Sequence, residues 1–152
     1  MAYDFLLTGW ENNVRGVCGG VSSTDVPDSL LALDAYGTAS EDLIKELVST
    51  WETLKVTLPS TFNRAAYYHV ASKVCSYLKV KLLGSEKIGA DYSYTLQKID
   101  WDKLAMEALA MFYHYLGLID PECVETLTVI DIAERTPPVY GELIVEEISG
   151  LL

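Results

Sequence analysis

Ser60-Thr-Phe-Asn-Arg-Ala-Ala-Tyr-Tyr-His-Val-Ala-Ser-Lys-Val-Cys-Ser-Tyr-Leu-Lys-Val-Lys-Leu-Leu83 is the stretch with the clearest single periodicity in the chain. Tyr67, Val70, Ala71, Val74, Leu78 and Leu82 recur at spacings of three and four, which sets them along one face of an α-helix. His69, Ser72, Lys73, Ser76 and Lys79 fall on the other face, predicted to meet solvent. A helix of this length needs partners to cover its apolar stripe.

Those partners lie on either side. Downstream, Asp100 is an N-cap for a helix that buries Trp101, Leu104, Ala105, Ala108, Phe112, Tyr115 and Leu116 and ends near Ile119, before Pro121. Upstream, Thr38-Ala-Ser-Glu41 has the form of a capping box, and Leu43, Ile44, Leu47, Val48, Trp51 and Leu54 continue one apolar stripe up to Pro59. Asp25-Val-Pro-Asp28 reads as a further start, with Asp25 as N-cap and Pro27 in the first turn, of a short helix that stops at Gly37. Residues 1–23, with Gly9, Gly16, Gly19, Gly20 and Asn12-Asn13, read as an irregular lead-in anchored by Phe5, Leu6 and Trp10. The expected fold is mainly α: a small bundle of about four helices over residues 24–119.

Two segments depart from helical periodicity. Gly84 to Ile99, with Asp91-Tyr-Ser-Tyr-Thr-Leu inside it, reads as a loop or short hairpin between the two long helices. Residues 120–152 read as an extended, β-prone C-terminal tail: Glu125-Thr-Leu-Thr-Val-Ile-Asp-Ile132 is rich in β-branched residues, and Thr136-Pro-Pro138 favours extended backbone. Such a tail packs better on a neighbouring chain than on a small bundle.

The chain of 152 residues, half of them apolar, is long enough for one domain with a real core. Its formal charge of −11 argues against nucleic acid or an anionic membrane surface as the primary target. The charge is uneven: −6 over residues 1–59, +3 over 60–103, −1 over 104–119 and −7 over 120–152. A basic middle between acidic ends suits pairing between copies, or is simply a set of solvated faces. Ten tyrosines add side chains suited to packed interfaces. A signal peptide or membrane span is not expected, because Asp4 precedes the short N-terminal apolar stretch and no run of 18 apolar residues occurs.

Chemistry is hard to place. Cys18, Cys75 and Cys123 are odd in number and lack CxxC spacing, so free buried thiols are expected rather than a zinc site or disulfide framework. His69 and His114 stand without the partners that a catalytic or metal histidine requires. His69 and Cys75, six residues apart on one helix, are separated by about 600° of rotation and do not share a face. Glu41/Asp42 and Glu146/Glu147 are adjacent and diverge, and no phosphate-loop, dinucleotide or nucleophile-elbow motif occurs. No catalytic, metal or cofactor residue is therefore expected. Lys79, Lys81 and Lys87 form a small basic cluster that either complements a helix C-terminus or meets an acidic neighbour or a nearby nucleic-acid backbone.

Over residues 24–116 the order of these elements resembles the head-to-tail adaptor (connector) proteins of tailed bacteriophages. The matching features are Asp25-Val-Pro-Asp28 before a short helix, a helix opening Ala39-Ser-Glu-Asp42, and the Ala- and Tyr-rich Arg64-Ala-Ala-Tyr-Tyr-His-Val-Ala71. The loop Lys87-Ile-Gly-Ala-Asp91-Tyr-Ser-Tyr94 and the helix opening Asp100-Trp-Asp-Lys-Leu-Ala105 complete the set, with Ala90 inserted between a glycine and aspartate that the family pattern sets side by side. The resemblance implies a structural, non-enzymatic virion protein at the head–tail interface, assembled in the host cytoplasm. It implies a homo-oligomeric ring, usually of twelve copies, below the portal protein and above a neck or tail protein, through which DNA passes without specific binding. The expected contacts are Val129, Ile130, Ile132, Pro137, Pro138, Tyr140, Ile144, Leu151 and Leu152 on the tail, with Lys87, Tyr92 and Tyr94 on the loop. A binding module that docks an amphipathic segment, and a small helical enzyme using Tyr, His69 or His114, are the competing expectations.

Overall fold

The computed structural model describes residues 3–84 and 99–123. The chain is mainly helical: α1 (Trp10–Val17), α2 (Asp28–Leu31), α3 (Gly37–Leu47), α4 (Trp51–Thr57), α5 (Pro59–Gly84) and α6 (Trp101–Ile119). The long helices α5 and α6 make the most extensive pairing, and α1, α3 and α4 pack around α5. The expected loop or hairpin, apart from its flanking residues, and nearly all of the tail lie outside the described residues.

Helix α5 spans the expected stretch but is more deeply buried than its pattern predicts. Phe62, Ala65, Ala66, Val70, Ala71, Val74, Cys75 and Leu78 are buried, and so are His69 and Ser72 from the face expected to meet water. Both polar side chains are satisfied: Ser72 Oγ donates to the His69 carbonyl at 2.7 Å, and Ser40 Oγ lies 2.7 Å from His69 Nδ1. Small residues on this face let neighbouring helices approach closely, so the polar side is covered at His69 and Ser72, while Ser76 and Lys79 are exposed as expected.

The N-terminal segment is a second correction. Instead of an irregular lead-in, residues 10–17 form α1, and Phe5, Leu6, Trp10, Val14, Cys18 and Val21 belong to the same core as α5. Trp10, Val14 and Cys18 share a face at i, i+4 and i+8, a stripe that the surrounding Gly and Asn obscure. Gly19 and Gly20, at φ 83° and 79°, end the helix: Gly20 N–H donates to the Arg15 carbonyl and Gly19 N–H to that of Gly16. This pairing is the Schellman stop, and its left-handed backbone favours glycine. The buried Arg15 then fastens α1 to the next segment, donating from Nε to the Val26 carbonyl at 2.8 Å and pairing with Asp28.

The upstream helices are also shorter than expected. Helix α2 begins after Pro27, which takes the N-cap place, while the Asp25 carboxylate accepts from Ser22 Oγ at 2.9 Å in the preceding turn. Gly37, expected to end that helix, opens α3. A Cβ there would lie 3.0 Å from the Tyr3 ring, so the glycine admits that ring. The single helix expected from Thr38 to Pro59 is broken, with Val48 extended and Thr50 as the N-cap of α4. Ser49-Thr50 favours turns and caps over helix interior, a local preference that an apolar stripe does not register. The break seats Trp51 edge-on against Phe5, with ring centroids 5.5 Å apart.

Glu41 does not complete a capping box. Its buried carboxylate accepts three backbone N–H groups of an extended strap: Asp4 at 3.0 Å on Oε1, and Phe5 at 2.6 Å and Leu6 at 2.9 Å on Oε2. Asn63 Oδ1 takes the next, from Leu7, at 2.9 Å. Asp4 pairs outward with Lys45 at 2.5 Å and Lys55 at 3.5 Å. The hydrogen bond from Lys45 holds the Asp4 carboxyl below its ordinary value, against a smaller opposing effect of burial.

Because each orphaned buried N–H costs about 1–3 kcal/mol, Glu41→Ala should lose roughly 3–5 kcal/mol of unfolding free energy, and Glu41→Gln about half of that. Urea unfolding at constant slope measures it; a loss below about 1 kcal/mol for the alanine variant would contradict the assignment. The exposed Asp4 pair contributes less, so Asp4→Asn should cost under about 1 kcal/mol at neutral pH. Its contribution is complete above the unfolded-state value near pH 4 and fades as the pH falls through the lowered folded value. Unfolding curves of wild type and Asp4→Asn should therefore converge in acid; a gap that widens in acid would show the sign to be wrong.

Candidate functional site

Two places on the surface combine shape with chemistry. The first is an open cleft of about 440 Å³ between α3 and α5, lined by Ala39, Asp42, Leu43, Glu46, His69 and Lys73. Asp42 and Glu46 give it an acidic rim, and Lys73 Nζ donates to the Ala35 carbonyl at 3.0 Å. His69 forms its inner wall but is only 3% exposed, and its ring packs on Phe112 at 4.8 Å between centroids. A serine beside a histidine is the start of a nucleophilic arrangement. Here the Ser40 side chain is fully buried, and the Ser40–His69 bond ties α3 to α5.

The second place is the seam between α5 and α6. Tyr67 and Tyr68 lie 4.8 Å apart between ring centroids, Tyr68 stacks on Tyr115 at 5.7 Å, and the Arg64 guanidinium sits 5.7 Å from the centroid of Tyr115. Tyr67, Tyr68 and Tyr115 are half-buried. Burial, reinforced by Tyr68, pushes the Tyr67 hydroxyl above its ordinary value, so it stays a neutral donor and acceptor at physiological pH. Tyr68 also borders a smaller cleft of about 200 Å³ with Val17, Leu104, Glu107, Ala108 and Met111. A run of rigid rings, each carrying a hydroxyl and flanked by an arginine, has the composition of a protein contact surface.

The basic cluster of the sequence is engaged within the chain. Lys79 pairs with Asp102 of α6 at 2.7 Å, and Lys81 Nζ donates to the Asp25 carbonyl at 3.0 Å. Lys87 lies outside the described residues, as do Tyr92, Tyr94, Val129, Ile130, Ile132, Pro137, Pro138, Tyr140, Ile144, Leu151 and Leu152. His114 is exposed, its ring edge-on to Tyr115 at 5.2 Å. Cys18 and Cys75 are buried as expected, and Cys123 is half-buried. Unforeseen in the sequence, Cys18 and Cys75 meet, and so do Ser40 and His69; each pair is far apart in the chain and carries no motif.

Among the described residues, no group of three or more His, Cys, Asp or Glu side chains could hold a metal ion. None of the described helices is long and apolar enough to cross a membrane. Comparison with protein-family models, with curated proteins and with solved structures finds no match.

If the Ser40–His69 bond is a structural tie, Ser40→Ala and His69→Phe should not add independently. A double-mutant cycle in urea should give a coupling of about 1 kcal/mol, and a coupling near zero would contradict the tie.

Proposed function

We propose that this chain is a head-to-tail adaptor of a tailed bacteriophage, a structural protein that forms a ring below the portal and continues the DNA channel toward the tail. The observation that carries the reading is the order of elements quoted from the sequence: a short helix after Asp25-Val-Pro-Asp28, a helix over Ala39-Ser-Glu-Asp42, an Ala- and Tyr-rich long helix and a helix capped by Asp100. The described helices α2, α3, α5 and α6 fall on those four stretches. Tyr67, Tyr68, Tyr115 and Arg64 along the α5–α6 seam are suited to meeting another protein, and Val56, Val80, Met106 and Leu118 add exposed apolar side chains.

The charge distribution also supports the ring. A chain at −11 lets DNA slide past without holding it, and a basic middle with acidic ends gives a subunit two unlike faces to offer its neighbours. In a closed heterologous ring, each copy meets the next through such unlike surfaces. In this reading the tail from residue 120 reaches the portal or the adjacent copy, with Val129, Ile130, Ile132, Pro137, Pro138, Tyr140, Ile144, Leu151 and Leu152 in contact, and Lys87, Tyr92 and Tyr94 serve from the loop.

Co-sedimentation with the portal protein encoded in the same genome tests the proposal. One copy should sediment with each portal subunit, and deleting residues 121–152 should abolish this while circular dichroism still shows the helical core. Full-length chain that stays in the supernatant would reject the adaptor reading; unimpaired binding by the shortened chain would reject the role of the tail.

A further inference from the structure

Cys18 closes α1 and Cys75 lies within α5, 57 residues apart in sequence, yet their sulfurs are 3.5 Å from each other. Both residues are completely buried. Cys75 Sγ donates to Cys18 Sγ, and Cys18 Sγ lies 3.6 Å from the Ala71 carbonyl as its donor. Two thiols in line on one short chain of hydrogen bonds differ from two cysteines that merely fill space. Their sulfurs need to close by only about 1.5 Å to reach the disulfide length of roughly 2.05 Å.

We infer that Cys18 and Cys75 form a latent disulfide, an oxidation site at which a small hydroperoxide links α1 covalently to α5. In the first step a Cys75 thiolate attacks one peroxide oxygen; the O–O bond breaks, the second oxygen leaves as water after taking up a proton, and Cys75 becomes a sulfenic acid. In the second, Cys18 sulfur attacks Cys75 sulfur, the S–O bond breaks, and the departing hydroxide leaves as water with the Cys18 proton. Each sulfur loses one electron, and the two oxygens of the peroxide gain them.

The order of attack follows from the pair itself. When Cys75 ionises, the bond reverses and the Cys18 thiol donates to the Cys75 thiolate in place of the Ala71 carbonyl; that bond draws Cys75 down against burial and, together with burial, pushes Cys18 up. Cys75 is thus the sulfur that ionises first and Cys18 the one that resolves. Gly19 and Gly20, directly after Cys18, are exposed, so the solvent surface is one residue away in the chain from the buried pair. Cys123 is the competitor, half-buried and outside the pair, with burial and Asp120 raising its thiol.

The full chain, treated with hydrogen peroxide, quenched, alkylated in denaturant and digested, provides the test. The expected product is about 2 Da lighter before alkylation, with the Cys18 and Cys75 peptides joined and Cys123 still open to alkylation. Tying a loop of this length should raise the melting temperature by roughly 10 °C, reversibly with dithiothreitol. Cys75→Ser should show neither the link nor the shift. Cys18 and Cys75 both alkylated after peroxide would overturn the inference, as would chains joined through Cys123 alone, or Cys75 carried to sulfinic acid with no link. The peptide masses of the wild-type chain decide the matter even if Cys75→Ser does not fold.

Discussion

Four consecutive backbone N–H groups, those of residues 4 to 7, lie in an extended strap with no sheet or helix to receive them. Glu41 and Asn63 receive all four through their side chains. Those of Phe5 and Leu6 are buried and must be paired, and a carboxylate taking three N–H groups at once is among the stronger ways to do it. The rest of the amino-terminal packing depends on this capture. With the strap fixed, Phe5 stacks on Phe62 at 4.7 Å and meets Trp51, Tyr3 closes on Trp10 at 5.5 Å, and α1 is delivered against α5.

Helix α5 is the element everything else covers. Its polar stripe is satisfied from within, by Ser72 onto its own backbone and by His69 onto Ser40, so α3 can approach a side that would otherwise be solvated. Arg15 and the Gly19-Gly20 stop hold α1 in place, and that placement brings Cys18 to Cys75. The thiol pair is therefore a consequence of several fastenings at once: the strap held by Glu41 and Asn63 before α1, Arg15 and the glycine stop at its end, and its own buried face of Trp10, Val14 and Cys18.

Much of this was legible in the sequence where local rules govern. Helix α5 announces itself by period, and α6 by its Asp100 cap, whose side chain accepts from the Lys103 N–H at 3.0 Å. Local rules misplaced what long-range bonds decide. Glu41 sits where a capping box puts it, yet it is claimed by residues 35–37 positions upstream. His69 falls on the polar face, yet burial with Ser40 and Phe112 is the better solution once α3 and α6 are present. Helix α1 was hidden because Gly and Asn punctuate a stripe of only three large or apolar residues. The tyrosine seam was partly legible, since ten tyrosines suggest an interface, but its stacking requires α5 and α6 side by side. The contact residues expected on the loop and tail carry no local rule that would place them.

The functional account joins a rigid helical unit to a long acidic tail and assigns both to assembly. In it the core supplies unlike faces for a ring, the tail reaches a partner, and the negative charge keeps the channel free for DNA. Electron microscopy of the full chain mixed with portal protein tests this most directly. The account predicts a closed ring of copies seated coaxially on the portal with a continuous central channel. Single copies scattered on the portal, or a small complex with no ring, would contradict it.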